Sequence, residues 1–239
     1  MVKVYLNEIT GVADALVSMY MSKRTWTPDM DEKIRDMWKV YTAGYLIPGL
    51  SEITVEIDKL IDTFCKYAWK HTTMLDFITI SVTVKGLHRA GQDDWDAHAC
   101  RYNNRIIRSS TRLADFDEGE MSDFYKGKIL PTEMALGVMG ITLPLTLTFG
   151  DQMYVKTEGG YIREDLKDNR DVKRGLYRLC IPSNFIFKCN LAQWAHVYRM
   201  RNASGTANPE VKEVAEKIQD ALQEKLPWFD REFMQKVMI

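Results

Sequence analysis

Apolar residues in positions 31–46 recur at spacings of three and four: Ile34, Met37, Trp38, Tyr41 and Tyr45. That spacing stacks side chains on one face of a helix. Pro48 and Gly49 stop the predicted helix. A similar period begins over residues 12–21. Ser51 is placed to cap a further helix whose face is Ile57, Leu60, Ile61, Phe64 and Ala68. Residues 71–76 read as a short polar connection. Residues 78–84 alternate strictly, Ile78, Ile80, Val82 and Val84 against Thr79, Ser81 and Thr83, which predicts a half-buried strand. Residues 87–113 read as mostly helical and 115–127 as an acidic surface loop. Residues 134–147 are apolar and fit either helix or strand. Glu158-Gly159-Gly160, between Tyr154-Val155 and Tyr161-Ile162, predicts a hairpin. Helices are expected over 168–180, 190–201 and 209–224. Ser204-Gly205 ends the second, and Val211, Val214, Ala215, Ile218 and Leu222 form the inner face of the third. A short helix follows Pro227-Trp228. Many helices with few strands predict an α+β fold.

With 239 residues and no repeat, low-complexity tract or long linker, the chain is expected to form a single domain over 1–239. Hydrophobic residues are 46% and charged residues 27%, which excludes a disordered chain, a collagen or a disulfide scaffold. The 32 basic and 33 acidic residues leave a net charge of -1, so no global basic field favours nucleic acid. No stretch reaches the roughly 18–20 apolar residues of a membrane span. The most apolar run, 134–149, is broken by Gly137, Gly140 and Pro144. Without a basic-then-apolar leader, a cytoplasmic chain is expected. Cys65, Cys100, Cys180 and Cys189 have no CxxC spacing, and the four histidines are scattered. No structural zinc or other metal site is legible, and the thiols are expected to be free.

Walker, GxGxxG, GxSxG and HExxH signatures are absent. Arginines beside small polar residues stand out instead. Arg105, Arg108, Ser109, Ser110, Thr111 and Arg112 form one cluster, Arg199 and Arg201 end a predicted helix, and Arg178 precedes Cys180-Ile181-Pro182. Guanidinium forks with hydroxyl donors suit a phosphate monoester. Any one cluster taken alone also fits a solvated helix face.

Four segments, in order, give the chain a resemblance to the flavin-dependent thymidylate synthase family (ThyX). The first is His71-Thr72-Thr73-Met74-Leu75-Asp76, just before the alternating strand that ends Val84-Lys85. The second is the arginine-rich run 101–112. Its tail Ser110-Thr111-Arg112 fits the close of the family signature RHRxxSxNExSxR. Its front departs: Arg101-Tyr102-Asn103 stands for RHR only with a one-residue deletion, and the central NE is missing. The third is Arg178-Leu179-Cys180-Ile181-Pro182-Ser183-Asn184. The fourth runs from Asn190 through His196 to Arg201 with the family's spacing, followed by Ala207-Asn208-Pro209-Glu210-Val211 and Leu226-Pro227-Trp228. The resemblance covers residues 65–235.

The resemblance implies an antiparallel sheet flanked by helices, and a homotetramer whose active sites are shared between subunits. It implies FAD as cofactor, reduced by NADPH. Methylenetetrahydrofolate would give a one-carbon unit to C5 of dUMP or UMP, most simply as a methyl group. Ser110, Arg112 and Arg178 would hold the phosphate, with Arg101 beside them. Arg201 would face the pyrimidine O2 edge, where a cation stabilises developing enolate charge. His71, Thr73, Asp76, Asn190 and His196 would line the flavin. Cys100 would be buried and inert, with no adjacent base. The altered front of the second segment keeps two other readings open. One is a hydroxymethylase on the same scaffold. The other is a non-catalytic nucleotide- or flavin-binding protein.

Overall fold

The computed structural model describes residues 2–43, 50–99, 105–109, 122–123, 132–157, 160–168, 181–203 and 208–237. Helices and antiparallel sheets mix as the α+β reading expects. In chain order the helices are α1 (Val12–Ser22), α2 (Pro28–Ala43), α3 (Leu50–Ala68), α4 (Arg89–Ala99), α5 (Thr132–Val138), α6 (Leu191–Ala203), α7 (Pro209–Lys225) and α8 (Arg231–Lys236). The strands are β1 (Lys3–Thr10), β2 (Thr79–His88), β3 (Arg105–Arg108), β4 (Thr146–Phe149), β5 (Gln152–Lys156), β6 (Tyr161–Arg163) and β7 (Pro182–Asn190). One sheet has the order β1-β2-β7-β3 and the other β4-β5-β6. Contacts divide the chain into two compact units.

The helical unit comprises Val4–Thr83, His98–Ile106 and Phe187–Ile239. Its helix starts follow local chemistry. Thr27 Oγ1 accepts from the Met30 amide, Pro28 takes the first helical position, and Asp29 and Asp31 occupy the first turn of α2. Asn208 caps α7 ahead of Pro209, and Asp230 caps α8. Gly11 precedes α1 at φ 81, and a side chain there would overlap the Phe77 carbonyl. The core holds Leu16, Phe64, Leu75, Ile80, Val82, Trp194 and Phe229, each at most 1% exposed. Through it runs a buried polar chain. Trp194 Nε1 donates to Gln219 Oε1 at 2.9 Å, and Gln219 Nε2 donates to the Phe229 carbonyl at 2.7 Å.

The hairpin unit comprises Met1–Lys3, Val84–Ala97 and Ile107–Ile186. Trp95 of α4 is buried and packs obliquely on Phe185 of β7, with ring centroids 5.9 Å apart. Gly86, at φ 85, donates its N–H to Asn184 Oδ1 at 3.1 Å, and the Asn184 carbonyl accepts from Ser109 N. The β4–β5 hairpin turns at Gly150, φ 59, with Thr146 opposite Val155 and Phe149 opposite Gln152.

Several local expectations change. Residues 87–113 are not one helix: α4 ends at Ala99 and β3 follows, because Ile106-Ile107 is β-branched and completes a sheet edge. Ser51 does not cap α3, since Leu50 is already helical. Residues 72–77 form a 3-10 turn rather than an open connection. The ambiguous run 134–147 splits between α5 and β4. Strands β1 and β7 were not expected. The predicted helix 168–180, apart from Asp168, and the loop 115–127, apart from Ser122 and Asp123, lie outside the described residues. Cys65 is half-buried and Cys189 buried, both free. Burial, with Asp62 and Asp230 nearby, pushes the Cys65 thiol up to about 12, and burial holds Cys189 well above its ordinary value. Neither is a reactive thiolate at neutral pH. Cys100 lies outside the described residues. Among those residues, no helix is long and apolar enough to cross a membrane.

Candidate functional site

Six of the predicted site residues fall in the helical unit, on two elements. His71, Thr73 and Asp76 belong to the turn that precedes β2. Met74 and Leu75 are buried, while His71, Thr73, Asp76 and Phe77 are exposed. The turn is therefore anchored by its apolar pair and presents an imidazole, a hydroxyl, a carboxylate and an aromatic ring. Asn190, His196 and Arg201 belong to α6 and its cap.

Helix α6 is buried on most sides: Leu191, Trp194, Ala195 and Val197 are at most 2% exposed. Arg199 and Asn202 are partly accessible, and so are Gln193, His196 and Met200, whose helical spacing places them on one stripe. His196 lies in the middle of that stripe. Arg201, in the last turn, is only 9% exposed. Its neighbour Arg199 is committed elsewhere, donating to the Val237 carbonyl at 2.7 Å. A guanidinium held largely away from water acts on a nearby charge through less screening than a surface arginine does.

The start of α6 joins the two elements. The Leu191 amide donates to the Ile78 carbonyl at 2.9 Å. Asn190 Oδ1 accepts from the Gln193 amide at 2.8 Å, and the Asn190 amide donates to Gln193 Oε1 at 3.2 Å. This is a reciprocal capping box. The Asn190 side chain also lies beside Asp76. Partial burial raises the Asp76 carboxyl above its ordinary value, and the neighbouring Asn190 side chain works against that rise. On the outer flank of α6, Tyr198 donates to Glu216 at 2.9 Å, and Arg231 bridges Tyr198, Glu216 and Asp220. Burial and the Glu216 carboxylate hold the Tyr198 phenol above its ordinary range.

The structure thus joins the turn that carries Asp76 to the helix that Asn190 caps, and sets His196 and Arg201 on that helix. Arg101, Ser110, Arg112 and Arg178 lie outside the described residues. Two positions escaped the sequence reading. Gln193 had a legible signal, a glutamine three residues after an asparagine at a helix start. Asn184 was part of a quoted segment, but nothing in the sequence shows that it clasps Gly86 and Ser109.

The family profile described as thymidylate synthase complementing protein matches residues 18–228. The chain belongs to this family, the flavin-dependent thymidylate synthases. Its fold is that of ThyX. A Helicobacter pylori ThyX structure with FAD and dUMP aligns over 98% of this chain and 99% of its own, at 13% identity and a TM-score of 0.56. A second H. pylori ThyX complexed with FAD and dUMP aligns over 96% and 98%, at 14% identity and 0.58. PolB from Streptomyces cacaoi, a UMP/dUMP methylase bound with 5-Br dUMP, aligns over 99% and 94%, at 12% identity and 0.53. Identities this low speak for the fold. No curated protein matches the sequence significantly.

Proposed function

We propose that the chain is an FAD-dependent enzyme that transfers a one-carbon unit from methylenetetrahydrofolate to C5 of dUMP or UMP, a thymidylate synthase-type methylation, with NADPH as reductant. The observation that carries this reading is the bond from the Leu191 amide to the Ile78 carbonyl, which sets the turn bearing Asp76 beside Asn190 and so unites two separately resembling segments in one place. The family assignment and the ThyX fold support it.

The donor set fits a flavin. An isoalloxazine edge alternates carbonyl acceptors with an N–H donor. Thr73, Asn190 and the imidazoles of His71 and His196 would face its acceptors, and Asp76 would accept from its N–H. Phe77, 54% exposed beside Asp76, adds apolar surface. When bound, FAD supplies the reducing equivalents. The chain's own contribution is positioning and charge. Arg201 would hold the O2 edge of the pyrimidine and stabilise negative charge there as C5 becomes nucleophilic. Ser110, Arg112, Arg178 and Arg101 would hold the phosphate. The chain would work in the cytoplasm as one domain within a homotetramer whose sites draw on several subunits.

The test is the visible absorption spectrum of the purified protein, reconstituted with FAD and then titrated with dUMP and UMP. The expected result is a flavin band that shifts with at least one nucleotide, followed by a mass gain in that nucleotide on adding folate and NADPH. A protein that takes up no FAD would overturn the reading. A flavoprotein that shifts with nucleotide yet gives no product would point to the non-catalytic alternative.

A further inference from the structure

The proposed role of Asn190 depends on which end of its amide faces outward. The two ends of an asparagine side chain have the same shape, so hydrogen-bond partners alone choose between them. Here both partners choose alike. The Gln193 amide is a donor and takes Oδ1 at 2.8 Å. The Asp76 carboxylate, an acceptor, lies beside the same side chain and favours Nδ2 on its side. The backbone behind the side chain is fixed as well, by Leu191 N to the Ile78 carbonyl at 2.9 Å and by Asn190 N to Gln193 Oε1 at 3.2 Å.

We infer that Gln193 is a positioning residue: by closing the box on Asn190 it holds the amide with Oδ1 turned into the helix and Nδ2 turned toward Asp76 and the flavin. This inference rests on the reading that Asn190 faces the flavin. Nδ2 carries two hydrogens. At least one of them is left for an acceptor on the flavin edge. An amide turned the other way would offer only a lone pair to that acceptor, and would set an oxygen against the Asp76 carboxylate. The return bond is not a general habit of this chain. The residues at the equivalent place in α2, α7 and α8 are Met30, Val211 and Phe233, none of which carries a side-chain oxygen to accept the cap's N–H.

The experiment compares Gln193→Met, which keeps the length but loses the acceptor, with Gln193→Glu, which keeps it. FAD itself is the probe, added to the full-length protein. Gln193→Met should weaken FAD binding about five- to tenfold and blur the fine structure of the flavin band, with an unchanged circular dichroism spectrum. Gln193→Glu should stay within about twofold of wild type on both readouts. FAD binding unchanged in Gln193→Met, or weakened equally in both variants, would overturn the inference. A second readout needs no flavin. In the nitrogen-15 spectrum of the ligand-free protein, Asn190→Asp identifies the Asn190 side-chain signal. Gln193→Met should collapse that signal's proton-exchange protection and Gln193→Glu should keep it; protection unchanged in Gln193→Met refutes the box as the orienting device. Failure of wild type to bind FAD would instead strike the proposed function.

Discussion

The two units use similar apolar residues to different ends. Helix α6 buries Leu191, Trp194, Ala195 and Val197 almost completely. The stretch from α5 through β5 leaves Val138 80%, Leu145 79% and Phe149 80% exposed. Side-chain type does not separate them. What separates them is the partner: α6 is flanked by the turn at 72–77 and by α7, whereas both faces of β4 are open. The hairpin is held mainly by its backbone ladder, its Gly150 turn and a bond from the Tyr161 hydroxyl to the Pro144 carbonyl at 2.5 Å. A small sheet held this way is marginal by itself. Hydrophobic burial, and with it the precision needed to aim an amide or a guanidinium, is concentrated in the helical unit.

The sharpest way to break this contrast is a pair of truncations. Trp194→Ala should cost about 3–5 kcal/mol in urea unfolding, since it removes a buried ring and strands the Gln219 amide. Phe149→Ala should stay within about 0.5 kcal/mol. Similar costs would mean that burial does not differ as described. Next in size is Arg201→Ala. Nucleotide titration should show dUMP or UMP binding weakened more than tenfold, about 1.4 kcal/mol or more; unchanged affinity would remove the base-facing role. Asn208→Ala should destabilise by about 1 kcal/mol, because the Glu210 amide loses its acceptor. Thermal unfolding reads this directly. The smallest effect concerns Asp76. Its folded-state value is raised, so its contribution to stability is present below the ordinary 3.8 and fades as pH rises through the folded value. Asp76→Asn should therefore gain in melting temperature relative to wild type across that window and hold the gain above it. A gain that grows on acidification would reverse the assignment.

Much of this was legible from residue order because the signals were local. Strict alternation marked β2, the apolar face of Val211, Val214, Ala215, Ile218 and Leu222 marked α7, and paired glycines between apolar dipeptides marked a hairpin between β5 and β6. Strand β7 alternates too, with Ser183, Phe185, Phe187 and Cys189 buried. Ile186, 40% exposed on its other face, blurs that alternation. Strand β1 loses its period at Asn7 and Glu8, because Asn7 turns to bond Thr83 at 2.9 Å, a pairing that no local pattern encodes. Helix α6 was expected over 190–201, but which of its polar residues face inward was not legible, because Arg201 is buried while Met200 beside it is exposed. The Leu191–Ile78 bond joins distant segments, so no reading of either alone could show it.

The clip between Leu191 and Ile78 also bears on how the chain reaches its fold. It ties a segment from the first half of the chain to one from the last quarter, so it forms only after a long loop has closed. Contacts of such separation bring their loop-closure entropy cost before their stabilisation, and they slow folding. During synthesis, β2 and the turn before it leave the ribosome well ahead of α6. The turn must wait, its Met74 and Leu75 without their α6 neighbours, until the C-terminal helices arrive. A chain stopped short of residue 190 would carry His71, Thr73 and Asp76 and still have no site.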